Sequence, residues 1–277
     1  MMRKFFSTMI IIVMLLGTLF IMTGCTKMLD SGYQPISIGD CIDKENKNYE
    51  DINELQCIAN QDSVLSIEGY EKLAELVNLK KVTFIGLPSG DDATKIFEEL
   101  SKLENLTIVE VCDSNNISID KIGNIKNLKS LTINGTGFKI KDLQLINTDS
   151  RFSDLQSLTL RNIDLYDLPR LDNLKNLHSL CISDYKLSSL DEQAVIWEKI
   201  VSLDISGTSI TEINENIVNR LKNIESLNIS YSRITDLKFT LNIQKLREFK
   251  YYHHSINGVD VSCLKGHPNY RDEWLTD

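Results

Sequence analysis

The sequence predicts an α/β solenoid, a chain wound in short coils with a parallel β-sheet on its concave face and helices or 3-10 turns on its convex face. Three observations point there. Apolar residues recur in a fixed register over most of the chain. Each recurrence contains an alternating apolar core that suits one short strand. Prolines and glycines are few, four and thirteen in 277 residues, which argues against collagen-like or linker-rich chains.

The register is read by aligning Leu128, Leu155, Leu177, Ile200, Ile224 and Leu246 as position one of a unit. Position four is then Leu131, Leu158, Leu180, Leu203, Leu227 and Phe249, and position six is Ile133, Leu160, Ile182, Ile205, Ile229 and Tyr251. Position eleven is Phe138, Leu165, Leu187, Ile210, Ile234 and Ile256. Weaker copies precede them at Leu79-Val82-Phe84, Leu106-Val109-Val111 and Ile52-Leu55-Cys57, for about nine units. Positions four and six point one way from a strand, and the residues between them face solvent. One unit cannot hide its own leucines, so stability comes from stacking.

The pattern L-x-x-L-x-L-x-x-N-x-L resembles the leucine-rich repeat, and the short units are similar to those of internalin-type bacterial surface proteins. The resemblance implies a right-handed leucine-rich-repeat solenoid. The ninth position departs from it. Where the family carries Asn, this chain has Thr136, Ile163, Tyr185, Thr208, Ser232 and His254. Hydroxyls can replace part of the amide's bonding to the turn, and Ile163 cannot.

Taken in order, the chain opens with Arg3 and Lys4 ahead of an apolar run, Phe5–Met22, and then Thr23-Gly24-Cys25. This end resembles a bacterial lipobox with Met22 in place of the usual Leu. It implies a lipoprotein signal peptide over residues 1–24 and diacylation of Cys25; the alternative is an uncleaved membrane anchor. Both place the rest of the chain outside the cytoplasm. Residues 25–48 lack periodicity and read as a flexible tether. The solenoid follows over 49–257 and a C-terminal cap over 258–277, where Val259 and Val261 suit a terminal strand and Trp274 and Leu275 can cover the end of the core.

The longer units have room for helices. Asp91–Lys102 places Ile96, Phe97 and Leu100 on one stripe. Ser189 and Glu192 suit a capping box before Ala194–Lys199, and Thr211 an N-cap for Glu212–Lys222, with Ile213, Ile217 and Leu221 inward.

Formal net charge is −9; without Arg3 and Lys4 of the leader it is −11. That sign repels phosphate backbones, so no nucleic-acid partner is expected. Of six cysteines, Cys41 and Cys57 can close the N-terminal end as a disulfide, or Cys57 can be a small core residue. Cys181 falls at a solvent-side position, far from Cys263. No C-x-x-C, H-E-x-x-H, G-x-S-x-G or phosphate-loop motif occurs, and the register makes His253 and His254 diverge. No metal, cofactor or catalytic activity is expected.

The exposed face of the sheet offers a ligand surface. Position three reads Ser130, Ser157, Ser179, Ser202, Ser226 and Glu248, a column of small side chains suited to docking or simply to solvation. Position five ends in Cys181, Asp204, Asn228 and Lys250. Arg161, Asp184, Asp204, Asn228, Tyr231, Arg247, Lys250, Tyr252 and His253 form the candidate ligand set, because aromatics and Arg dominate binding hot spots. The expected role is a membrane-anchored module that binds a protein partner on or near the bacterial cell surface. A structural or assembly role in the envelope is the alternative, and an enzyme regulator acting through its concave face is a third.

Overall fold

A computed structural model describes residues 37–59, 64–114, 117, 119–135, 138–163, 165–168, 170–252 and 261–271. The leader, Cys25, Thr136, His253, His254, Ile256, Val259, Trp274 and Leu275 lie outside the described residues.

Eleven strands follow one another: β1 (Glu54–Ile58), β2 (Lys81–Ile85), β3 (Ile108–Cys112), β4 (Ser130–Asn134), β5 (Ser157–Arg161), β6 (Asp167–Leu168), β7 (Ser179–Ser183), β8 (Ser189–Leu190), β9 (Ser202–Asp204), β10 (Ser226–Asn228) and β11 (Glu248–Lys250). Nine of them form one sheet in the order β1-β2-β3-β4-β5-β7-β9-β10-β11, while β6 and β8 pair separately. All these pairings are parallel. Position four of each coil lies opposite position four of the next, as in Leu131↔Leu158, Leu158↔Leu180 and Leu180↔Leu203.

This register explains the apolar columns. Positions one, four and six, from Ile52, Leu55 and Cys57 through to Leu246, Phe249 and Tyr251, are no more than 4% exposed in any coil. They form one continuous core. Each buried Leu or Ile contributes about 1.5–3 kcal/mol, and none could be shielded without its neighbouring coil.

Two sets of hydrogen bonds stitch coil to coil outside the sheet, and a third braces the turns. The Asn before position one donates to a carbonyl of the preceding coil: Asn78 Nδ2 to Glu50 O at 2.9 Å, Asn105 to Val77 O at 2.9 Å, Asn127 to Glu104 O at 2.7 Å, Asn176 to Ser153 O at 3.2 Å and Asn223 to Glu198 O at 2.7 Å. On the strand-exit side, backbone bonds run from Ser188 N to Tyr166 O, Ser209 N to Leu187 O and Arg233 N to Ile210 O. The third set does the work of the absent ninth-position Asn. Ser114 Oγ accepts from Leu87 N and donates to Cys112 O, Thr208 Oγ1 donates to Ile205 O, and Ser232 Oγ accepts from Ile234 N.

The convex side changes along the molecule. Helices α2 (Asp91–Leu100), α3 (Ile119–Ile122) and α4 (Ile140–Thr148) back the N-terminal coils, and α2 buries Ile96, Phe97 and Leu100 as its spacing predicts. Arg151, beside α4, joins Asp149 to Asp120 of α3, and its guanidinium holds the Asp149 carboxyl below the usual carboxylate range. The C-terminal coils carry shorter elements. Val195–Glu198 is a 3-10 turn without a side-chain cap, and Ser189 lies in β8, its hydroxyl donating to Asp167; the expected capping box does not form. The helix expected over Glu212–Lys222 shrinks to α5 (Glu215–Val218), capped by Asn214 through a bond from Ile217 N instead of by Thr211. Ile213, Ile217 and Leu221 are nevertheless buried. With coils of 22–24 residues there is no length left for a full helix once the strand and turns are made.

Two corrections concern the ends. The segment expected as tether is ordered from Ser37. Helix α1 (Ile38–Lys44) starts at Ser37, whose Oγ accepts from Asp40 N, and buries Ile38, Cys41 and Ile42 against the first coil. The turn at Gly69 receives it. Gly69 has φ +76°, and a Cβ there would stand 2.7 Å from Gly39 Cα, so only glycine admits the helix. A disulfide joins Cys41 of α1 to Cys57 of β1 across a Cα–Cα distance of 5.4 Å. At the far end Val261 does not form a strand; the 3-10 turn Ser262–Gly266 follows it and buries Leu264. His267 Nε2 lies 3.1 Å from Ile243 O, and Asn269 N donates to its Nδ1.

Candidate functional site

The concave face is built from the solvent-side positions of the nine strands. Its N-terminal end is charged and internally paired: Glu110 accepts from Thr83 Oγ1 at 2.7 Å and pairs with Lys81 at 2.9 Å. Its middle is the serine column, in register from Ser130 to Ser226 and half-buried throughout. Five strands at about 4.8 Å spacing make this lane about 19 Å long. It is flat because the side chains are short.

Cys181 stands beside the lane at position five, and it is buried, not exposed as its register suggests. Thr159, Cys181 and Asp204 are successive register partners, and Arg161 and Asp204 both hydrogen-bond with the thiol. Those longer side chains cover it. Burial first, and the Asp204 carboxylate second, push the thiol up to about 12, while Arg161 opposes them. Such a thiol is protonated at neutral pH and a poor nucleophile.

Several expected ligand contacts prove to be supports. Asp184 is buried: Oδ2 accepts from Leu165 N at 3.2 Å and Oδ1 from Lys186 N at 2.9 Å. It ties its coil to the preceding one, the task that Tyr185 at the ninth position cannot perform. Asp184 therefore leaves the ligand set. One and two coils on, Asp204 Oδ1 accepts from Ser206 N at 2.9 Å and Asn228 Oδ1 from Ser230 N at 3.1 Å. These two are half-buried and brace the turn that follows each strand.

The C-terminal end of the face does assemble. Tyr231 takes a left-handed conformation with φ 57° and donates its N–H to Tyr252 O at 2.7 Å, which sets the two rings 5.0 Å apart and tilted by 60°. Tyr252 N donates to Ser230 Oγ at 3.1 Å. Beneath them Tyr251 is buried and gives its hydroxyl to Ile234 O. Lys250 and Arg247 are exposed beside the pair, Arg247 at 3.4 Å from Glu225. Arg161 does not join this group; it lies three strand intervals from β10 and four from β11, about 14–19 Å. His253 lies outside the described residues.

The structure also shows a group that sequence reasoning passed over. Tyr166 and Tyr185, 62% and 71% exposed, flank Lys186, whose Nζ stands 5.5 Å and 5.6 Å from their ring centroids. The three sit on the strand-exit rim of the coils of β5 and β7. A cation between two rings holds both in place. The available signal was Tyr185 itself, a large ring at a turn position. Among the described residues no three His, Cys, Asp or Glu side chains converge as metal ligands would.

No family model matches this chain. A stretch of 96 residues, 34% of the chain, is 32% identical to protein phosphatase 1 regulatory subunit SDS22 of Saccharomyces cerevisiae, and it spans 27% of that protein's length. Among solved structures, an internalin of Listeria monocytogenes is 18% identical with a TM-score of 0.45, over 82% of this chain and 73% of that one. Internalin C2 of the same organism is 20% identical with a TM-score of 0.48, over 73% and 82%. A leucine-rich-repeat protein of Leptospira interrogans is 14% identical with a TM-score of 0.43, over 74% and 67%. By the register of its own nine parallel strands, the molecule is a leucine-rich-repeat solenoid.

Proposed function

We propose that this chain is a membrane-anchored, extracytoplasmic binding protein that docks a protein partner on its concave sheet, with the C-terminal end supplying the aromatic and basic contacts. The observation that carries this reading is the gradient along one face. A flat lane of serines runs into a cluster of Tyr231, Tyr252, Lys250 and Arg247, held in place by backbone bonds between adjacent coils. Flat surfaces admit a macromolecule, and Tyr with Arg are the residue types that concentrate binding energy. The anchor is read from the sequence around Cys25. The Cys41–Cys57 disulfide supports an oxidising compartment, since such bonds persist outside the cytosol.

The binding reading is tested by capturing the partner from intact cells with wild-type protein and with the Tyr231→Ala/Tyr252→Ala double variant. Capture weakened at least tenfold, with the melting temperature retained, supports it; equal capture sinks it. Anchoring is tested separately by fractionating cells that express Cys25→Ser. Release of the protein from the membrane fraction is the expected result, and unchanged retention refutes the lipid anchor.

A further inference from the structure

We propose that the N-terminal cap is a mechanical clamp, in which the Cys41–Cys57 disulfide carries tension entering from residue 37 past helix α1 and directly into the sheet. Noncovalently, α1 is lightly held. Seven residues long, it is attached by Ile38 N to Ser66 O at 3.0 Å, Gly39 N to Glu68 O at 2.8 Å, an exposed Lys72–Asp43 pair and the packing of Ile38 and Ile42. A pull on Ser37 would meet these contacts one after another, as a strip is peeled. The disulfide changes the order of events. Only residues 37–40 can be drawn out before the tension reaches Cys41 and crosses to Cys57, the fourth residue of five-residue strand β1. There it meets a ladder in which all five residues are paired with β2, Cys57 opposite Phe84. The residues between the two cysteines lie in a closed loop and feel no tension.

A contrast within the molecule supports this role. The C-terminal cap is held by Leu264 packing and by the His267 and Asn269 hydrogen bonds. The Cys41–Cys57 staple sits at the end where the chain enters from its N-terminal segment. The direction of pull rests on the membrane-anchored reading; the clamp itself does not.

The test is single-molecule pulling of the oxidised full chain and of its Cys41→Ser/Cys57→Ser variant, without reductant, by handles at residue 37 and at the C-terminus. Sixteen residues separate the cysteines, so the wild-type chain should release about 55 Å less length on complete unfolding than the variant. A low-force event removing the cap should appear only in the variant, and circular dichroism checks that the variant folds. The same low-force event in wild-type protein, or equal released lengths in the two proteins, overturns the clamp. Neither handle involves a lipid, so that failure leaves anchoring untouched, and a soluble Cys25→Ser protein leaves the clamp untouched.

Discussion

At its first coil the solenoid is closed by α1, a helix capped by Ser37, seated on a glycine turn and bonded covalently to β1. At its last coil it is closed by one 3-10 turn, with Leu264 in the core and His267 and Asn269 bonded back to the preceding coil. Both ends must shield a face of leucines that has no further coil to cover it. The first end adds a cross-link that restricts the unfolded chain, whereas the second, among the described residues, is held by burial and hydrogen bonding in the folded state. A perturbation of packing should therefore reach further at the C-terminal end, and a change in redox conditions should act at the N-terminal end.

The largest expected effect tests the C-terminal half of that contrast. Leu264→Ala removes the buried anchor of the turn and should cost about 2–5 kcal/mol. Hydrogen exchange should then quicken in β11 well before β1; uniform quickening would mean that the two ends are not independent. Breaking Cys41–Cys57 should lower stability by about 3 kcal/mol, the amount expected for a closed loop of this length. Denaturant melts of wild type and Cys41→Ser/Cys57→Ser without reductant measure it, and an unchanged midpoint would remove the contrast. Smaller again is the asparagine ladder. Asn127→Ala deletes one bond between coils and should cost about 1 kcal/mol, similarly at either end of the array. The least effect is expected from Tyr185→Ala, whose ring is largely in solvent: within about 0.5 kcal/mol of wild type.

Cys181 gives the comparison a pH axis in the middle of the molecule. The folded thiol is pushed up to about 12 from an ordinary value near 9, so the unfolded chain releases this proton first as pH rises. The contribution is complete below the ordinary thiol value and is lost as pH climbs toward 12. Labelling of Cys181 at pH 8 should accordingly follow global unfolding. Rapid labelling of the native protein would show that Arg161 and Asp204 do not cover it.

The coils were legible because their signal is local and repeated. Positions one, four and six are apolar in every unit, and a period-two strand has no other way to hide them. Sequence overestimates helix where a good cap, Thr211, suggests a length that a 24-residue coil cannot hold. Helix α1 had a signal, with Ile38, Cys41 and Ile42 at helical spacing behind Ser37, but it is brief and lies among polar residues. Cys181 and Asp184 were misplaced for a different reason. Register says which way a side chain leaves the strand; it does not say that Arg161 and Asp204 cover the first or that a backbone N–H of Leu165 draws in the second. The aromatic cluster at Tyr231 and Tyr252 is legible because it lies at solvent-side positions of the repeat, whereas Tyr166 and Tyr185 lie on the rim, where the register assigns no face.

Which surface the partner meets is decided most directly by photo-crosslinking on intact cells, with a photoreactive residue placed singly at Ser226, at Lys250, at Lys95 on α2 or at Lys222 beyond α5. A shared adduct from the first two sites and none from the last two is the predicted outcome. An adduct formed at Lys95 or Lys222 while Ser226 and Lys250 remain silent would contradict recognition through the concave sheet.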